Sequence, residues 1–213
     1  MAIPIGEDPY GGGLYKGAEM EEEDVPPLVR YRPPPIIELC ERTKFNAREI
    51  KVMYRAFKQS CPSGIVQHSQ FEEIYCQFFP QGDASQYADM VFRTFDTDND
   101  GIMSFEEFVI GLSIISRGTA EEKLHWVFSL YDVKKKGVIT YNELLQVVQS
   151  IYHLLGTFTH PPISSATVSN HVMFLLKKLD PQRTGVIKRE NFVLTSLQDE
   201  ALCRELALFD TKL

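Results

Sequence analysis

The side chains best suited to chemistry in this chain lie in one run of twelve: Asp96-Thr97-Asp98-Asn99-Asp100-Gly101-Ile102-Met103-Ser104-Phe105-Glu106-Glu107. Asp96, Asp98 and Asp100 fall at positions 1, 3 and 5, where alternate carboxylates can converge on one point. Gly101 at position 6 permits a sharp turn, because a residue without a Cβ takes positive φ at little cost. Ile102 at position 7 offers its main-chain carbonyl, and Ser104 at position 9 suits contact through a water. Glu107 at position 12 can reach with both oxygens. An all-oxygen set of this kind suits a hard divalent cation. A bidentate glutamate favours calcium over magnesium, which demands a tighter octahedron. The run therefore predicts one strong calcium site, formed by Asp96, Asp98, Asp100, Ile102, Ser104 and Glu107, with magnesium as a competitor.

Such a loop works only between two helices that hold its ends. Tyr87, Val91 and Phe95 before it, with Phe108, Leu112 and Ile115 after it, recur at helical spacing. The same arrangement returns three more times. Upstream, Asn46-Ala47-Arg48-Glu49 reads as a capping box, and Ile50, Met53, Tyr54 and Phe57 form one apolar face. Aligning Gly64 with Gly101 puts Cys61, Ser63 and Gln70 at positions 3, 5 and 12. A thiol and an amide thus replace carboxylates, and Pro62 distorts the loop. Downstream, Thr119 to Glu122 repeats the capping-box pattern and leads to a third loop, Asp132 to Glu143. Lys134 and Lys136 hold its positions 3 and 5, where an ammonium cannot ligate a cation and repels it. The two lysines are either solvated or stand in for the ion beside Asp132 and Glu143. In the fourth loop, Asp180 to Asn191, Gln182, Thr184 and Asn191 stand where carboxylates are wanted, so little affinity is expected.

The position-1 residues Gln59, Asp96, Asp132 and Asp180 are about 36 to 48 residues apart, the mark of four copies of one helix–loop–helix unit. The expected fold is all-α, with the units in two paired lobes, 36–117 and 118–213. Short β contacts between the loops should run through Val66, Met103, Ile139 and Ile187 at position 8, and a last helix should run from Ala201 to Phe209.

The chain's 213 residues suffice for such lobes, with 44% hydrophobic and 24% charged residues. A net charge of −7 argues against nucleic acid as a partner. No apolar run approaches the roughly 18 residues that a membrane span needs. Residues 1–35 differ from the rest: Gly- and Pro-rich, with three basic against seven acidic residues, they read as a flexible acidic tail. Ala2 stands where N-myristoylation would need glycine, so no myristoyl anchor is expected. Cys40, Cys61, Cys76 and Cys203 form no CxxC pair and are expected as reduced cytosolic thiols. No nucleophile-elbow, zinc-protease or P-loop spacing occurs, and the five histidines do not cluster, so a binding protein is expected rather than an enzyme.

These residues, taken together, resemble the neuronal calcium sensor family of EF-hand proteins, in the calmodulin-like and recoverin-like superfamily. The marks are Cys61-Pro62-Ser63-Gly64, Phe78-Phe79-Pro80-Gln81-Gly82-Asp83, Ser116-Arg117-Gly118-Thr119 and Glu122-Lys123-Leu124-His125-Trp126. Thr43-Lys44-Phe45-Asn46, Met53 to Phe57 and the acidic tail are most similar to the potassium-channel-interacting proteins. In that branch the third and fourth loops are usually the strong ones, whereas here the second is complete. The resemblance implies a hydrophobic groove that accepts an amphipathic helix. It would include Phe57, Phe71, Ile74, Tyr75, Phe78, Phe105, Phe108, Leu112 and Trp126. It implies a cytoplasmic auxiliary subunit that binds the cytosolic N-terminal segment of a voltage-gated potassium channel, held at the membrane through that partner. A sensor for a receptor kinase or a cyclase is the alternative, as is a simple calcium buffer.

Overall fold

The computed structural model describes residues 31–80, 82–155 and 164–206. Most of the tail, the stretch 156–163 and the end of the last expected helix lie outside them. Three helices of the repeated units begin where a side chain satisfies the free N–H groups of the first turn. Asn46 caps α2 (Ala47–Ser60), Ser104 caps α5 (Phe105–Arg117) and Thr119 caps α6 (Ala120–Tyr131). In all three a glutamate three residues on reaches back to the cap's own N–H, so the capping boxes expected at Asn46 and Thr119 are present. A short α1 (Ile36–Arg42) precedes them.

The first unit is α2, β1 (Ile65–Gln67) and α3 (His68–Phe78); the second is α4 (Ser85–Phe95), β2 (Ile102–Ser104) and α5. The third is α6, β3 (Val138–Thr140) and α7 (Tyr141–Leu155). The fourth is α8 (Ser165–Leu179), β4 (Val186–Lys188) and α9 (Arg189–Gln198), and α10 (Glu200–Leu206) follows. The strands pair antiparallel, β1 with β2 and β3 with β4, with Val66 opposite Met103 and Ile139 opposite Ile187. All four of these side chains are buried. Position 8 is apolar in every unit because its side chain passes into the core between the paired loops.

In the first pair of units, Phe105 packs edge-on against Tyr54 and Phe57, with centroids 4.9 and 5.4 Å away. In the second, Phe192 meets Phe128 at 5.5 Å. The pairs are joined by α4, which packs on both α6 and α7. The turn before α4 sits directly on the end of α7, where the Asp83 N–H donates to the His153 carbonyl at 3.0 Å. A Cβ on Gly82 would lie 2.1 Å from the Leu154 carbonyl oxygen, so only glycine allows that approach. Arg117 ends α5 by lying 4.5 Å over the Phe45 ring and pairing with Glu49. None of the described helices is long and apolar enough to cross a membrane.

Candidate metal centre

The second loop is built around Asp96, whose residue is only 6% exposed. Its carboxylate accepts the Asp100 N–H and the Gly101 N–H, both at 3.1 Å. Those amides can point inward because Gly101 holds φ at +83° and Asn99 at +61°. Burial, joined by the charges of Glu107 and Asp100, raises the pKa of Asp96 above the usual aspartate value, against the pull of the loop amides. A carboxylate so placed gains when a cation arrives.

Glu107 closes the loop from the first turn of α5. One oxygen accepts the Thr97 N–H at 2.9 Å and the Thr97 hydroxyl at 3.1 Å. The other accepts the Ser104 N–H at 3.0 Å and the Ser104 hydroxyl at 2.9 Å. Asp96, Asp98 and Glu107 bring ligand oxygens within 4.8 Å of one another, the one such group among the described residues. Three of the six expected ligands are therefore assembled. The Asp100 carboxylate lies outside that group and accepts the Ile102 N–H at 2.9 Å. Ser104, expected to act through a water, spends its hydroxyl on Glu107. Ile102, at position 7, opens β2 within the loop. The donor set suits calcium: hard oxygens, a buried first carboxylate and a glutamate whose two oxygens are both held at the loop.

The other loops keep the scaffold and lose the ligands. In the first, Gln70 turns its amide inward as a donor, to the Ser60 carbonyl at 3.4 Å and the Cys61 sulfur at 3.6 Å. Lys58 donates to the Pro62 carbonyl. Position 4 holds positive φ in the other three loops, at Asn99, Lys135 and Arg183. Pro62 cannot adopt it, since its ring fixes φ near about −65°. In the third loop Asp132 and Glu143 are buried, but Lys134 and Lys136 are exposed and neither reaches them. One Glu143 oxygen accepts only from Thr140, and the other is buried with no hydrogen-bond partner. The lysines are thus solvated and do not stand in for an ion, because their backbone positions aim them outward. In the fourth loop burial works to raise Asp180. The Thr184 and Gly185 amides and the Thr184 hydroxyl outweigh it, and the net direction is downward.

The aromatic residues expected to line a groove fall into two groups. Phe57 meets both Phe105 and Phe108, but Phe57 and Phe105 are buried and belong to the core. Phe71 and Tyr75 stack on α3, and Tyr75 stacks in turn on Phe79 just past its end. Ile74 and Leu112 are half-buried, and Phe78 stands 65% exposed at the end of α3. Trp126 lies apart on α6, its indole N–H buried without an acceptor. It borders an open cavity of about 350 Å³ that continues past Ile114 and Ile110 to Glu107, Asp100 and Asp98.

Two family models match the chain. Residues 121–194 match an EF-hand domain pair, and residues 41–138 match one described as a USP32 N-terminal domain. The first match covers the third and fourth loops, while the complete acidic set at 96–107 falls inside the second. An EF-hand domain pair, of the type that binds calcium, is therefore present between residues 121 and 194, within an all-α fold that repeats the same helix–loop–helix unit from Ala47 to Gln198.

Proposed function

We propose that this chain is a calcium sensor with one working loop, 96–107, that regulates a membrane protein by binding an amphipathic helix. The observation that carries the reading is the convergence of Asp96, Asp98 and Glu107 within 4.8 Å. A sensor-class site of this kind has an affinity of roughly 10⁻⁷ to 10⁻⁵ M. In sensors of this kind the ion swings paired helices apart and exposes an apolar groove. Phe71, Tyr75, Phe78, Phe108, Leu112 and Trp126, partly exposed already, would form it, with Phe57 and Phe105 uncovered on opening. The cavity that runs from the acidic loop to Trp126 gives the ion a short path to that surface. The partner we favour is the cytosolic N-terminal segment of a voltage-gated potassium channel, which would hold the protein at the cytosolic face of the membrane. The chain acts by binding and not by catalysis.

Titration calorimetry on the full chain tests the ion: one site, lost in Glu107→Gln, is expected. Two tight sites, or binding that survives the substitution, overturns the one-loop reading. Capture of the chain by the immobilised channel segment, in calcium and in chelator, tests the partner. A receptor-kinase or cyclase helix that competes better would shift the target, and no capture in either condition would leave a buffer.

A further inference from the structure

Lys135 is the fourth residue of the third loop, yet its side chain leaves that loop. Its ammonium donates to the main-chain carbonyl of Asp96 at 3.4 Å and to the side-chain oxygen of Asn99. Asn99 is the fourth residue of the second loop, so the two loops meet through corresponding positions, both at positive φ. Residues 96–107 contain no basic residue of their own. Arg42, the other cation nearby, pairs with Glu106, which is not one of the expected ligands. Lys135 is thus a cation anchored on position 1 of the acidic loop.

We propose that Lys135 sets the calcium affinity of the second loop: lent by the third loop, its ammonium offsets the crowded carboxylates of the ion-free state and opposes the arriving divalent ion. The inference rests on the calcium reading of residues 96–107. A charge this close lies within a Debye length of about 8 Å, so solvent ions weaken its effect without cancelling it. Coupling of this kind is reciprocal: whatever factor Lys135 takes from calcium affinity, calcium takes from the Lys135 contact. The third loop, unable to ligate, would then report the ion to α6 and α7 by releasing or keeping one lysine.

The competing role is preorganisation, in which Lys135 shapes the loop through its hydrogen bonds and its loss weakens binding. Calorimetry on the full chain carrying Lys135→Met, Lys135→Gln or Lys135→Arg separates the two. We expect Met and Gln to tighten calcium binding by about threefold to tenfold, and Arg to match the parent. The gain should shrink as salt is raised, and the ion-free thermal midpoint of the Met variant should fall. Lys135 is exposed, so these variants are expected to fold, and circular dichroism checks that they do. A parent chain that binds one calcium ion while the Met variant binds equally or more weakly overturns this inference alone. A parent chain that binds none at 96–107 overturns the calcium reading with it.

Discussion

The second and third loops share a backbone and differ in what it carries. In both, the first aspartate accepts the N–H groups of positions 5 and 6: 3.1 Å each at Asp96, 2.8 and 2.6 Å at Asp132. In both, the last glutamate accepts an N–H and a hydroxyl from position 9, Ser104 in one and Thr140 in the other. The difference lies in positions 3 and 5, Asp98 and Asp100 against Lys134 and Lys136, and in the free oxygen of the glutamate. In Glu107 it is held by Thr97, whereas in Glu143 it is buried with no partner. An ion-binding loop is therefore two structures laid over one another. The hydrogen-bonded frame belongs to the fold, and the ligands can be lost while the frame persists.

That comparison can be broken or sharpened by four measurements. The largest effect concerns the shared frame. Met103→Ala and Ile139→Ala each empty a buried position-8 site in one of the two sheets and should each lower unfolding free energy by about 3 kcal/mol. Chemical denaturation that shows a cost at only one of them breaks the equivalence. Next, Glu107→Gln should weaken calcium binding by roughly 100-fold, or about 2.7 kcal/mol. Glu143→Gln should leave the same titration unchanged. Third, Lys134→Asp with Lys136→Asp supplies the third loop with the carboxylates it lacks, and the calcium stoichiometry should rise by one site. If it does not, something beyond ligand identity disables that loop.

The smallest effect is in pH. The folded pKa of Asp96 is raised by burial and by its carboxylate neighbours, so its ionised form disfavours the ion-free fold. Calcium binding needs that ionised form. Affinity should therefore begin to fall, as pH is lowered, at a higher pH than an ordinary aspartate near about 3.9 would give. At Asp180 the folded pKa is lowered, so its stabilising contribution is present above the unfolded value and is lost as pH falls through the folded one. Asp180→Asn should accordingly lower the thermal midpoint at neutral pH, by an amount that vanishes in acid. Melts in chelator across the acid range check the sign.

What could be read from residues alone was whatever depends on short spacings. The capping boxes at Asn46 and Thr119, the turn glycines and the position-8 pairing all arise from groups a few residues apart, or from a pattern repeated in each unit. For the same reason the acidic set at 96–107 was visible: a loop of twelve brings its own ligands together. Only the folded molecule decided which groups meet across longer stretches. It buried Phe105 under Tyr54 and Phe57, turned Asp100 to its own loop amide, and seated Gly82 on the end of α7. It also carried Lys135 across 39 positions to the carbonyl of Asp96. A local pattern states what a loop can bind, but the charge beside it comes from another unit, and only packing sets that distance.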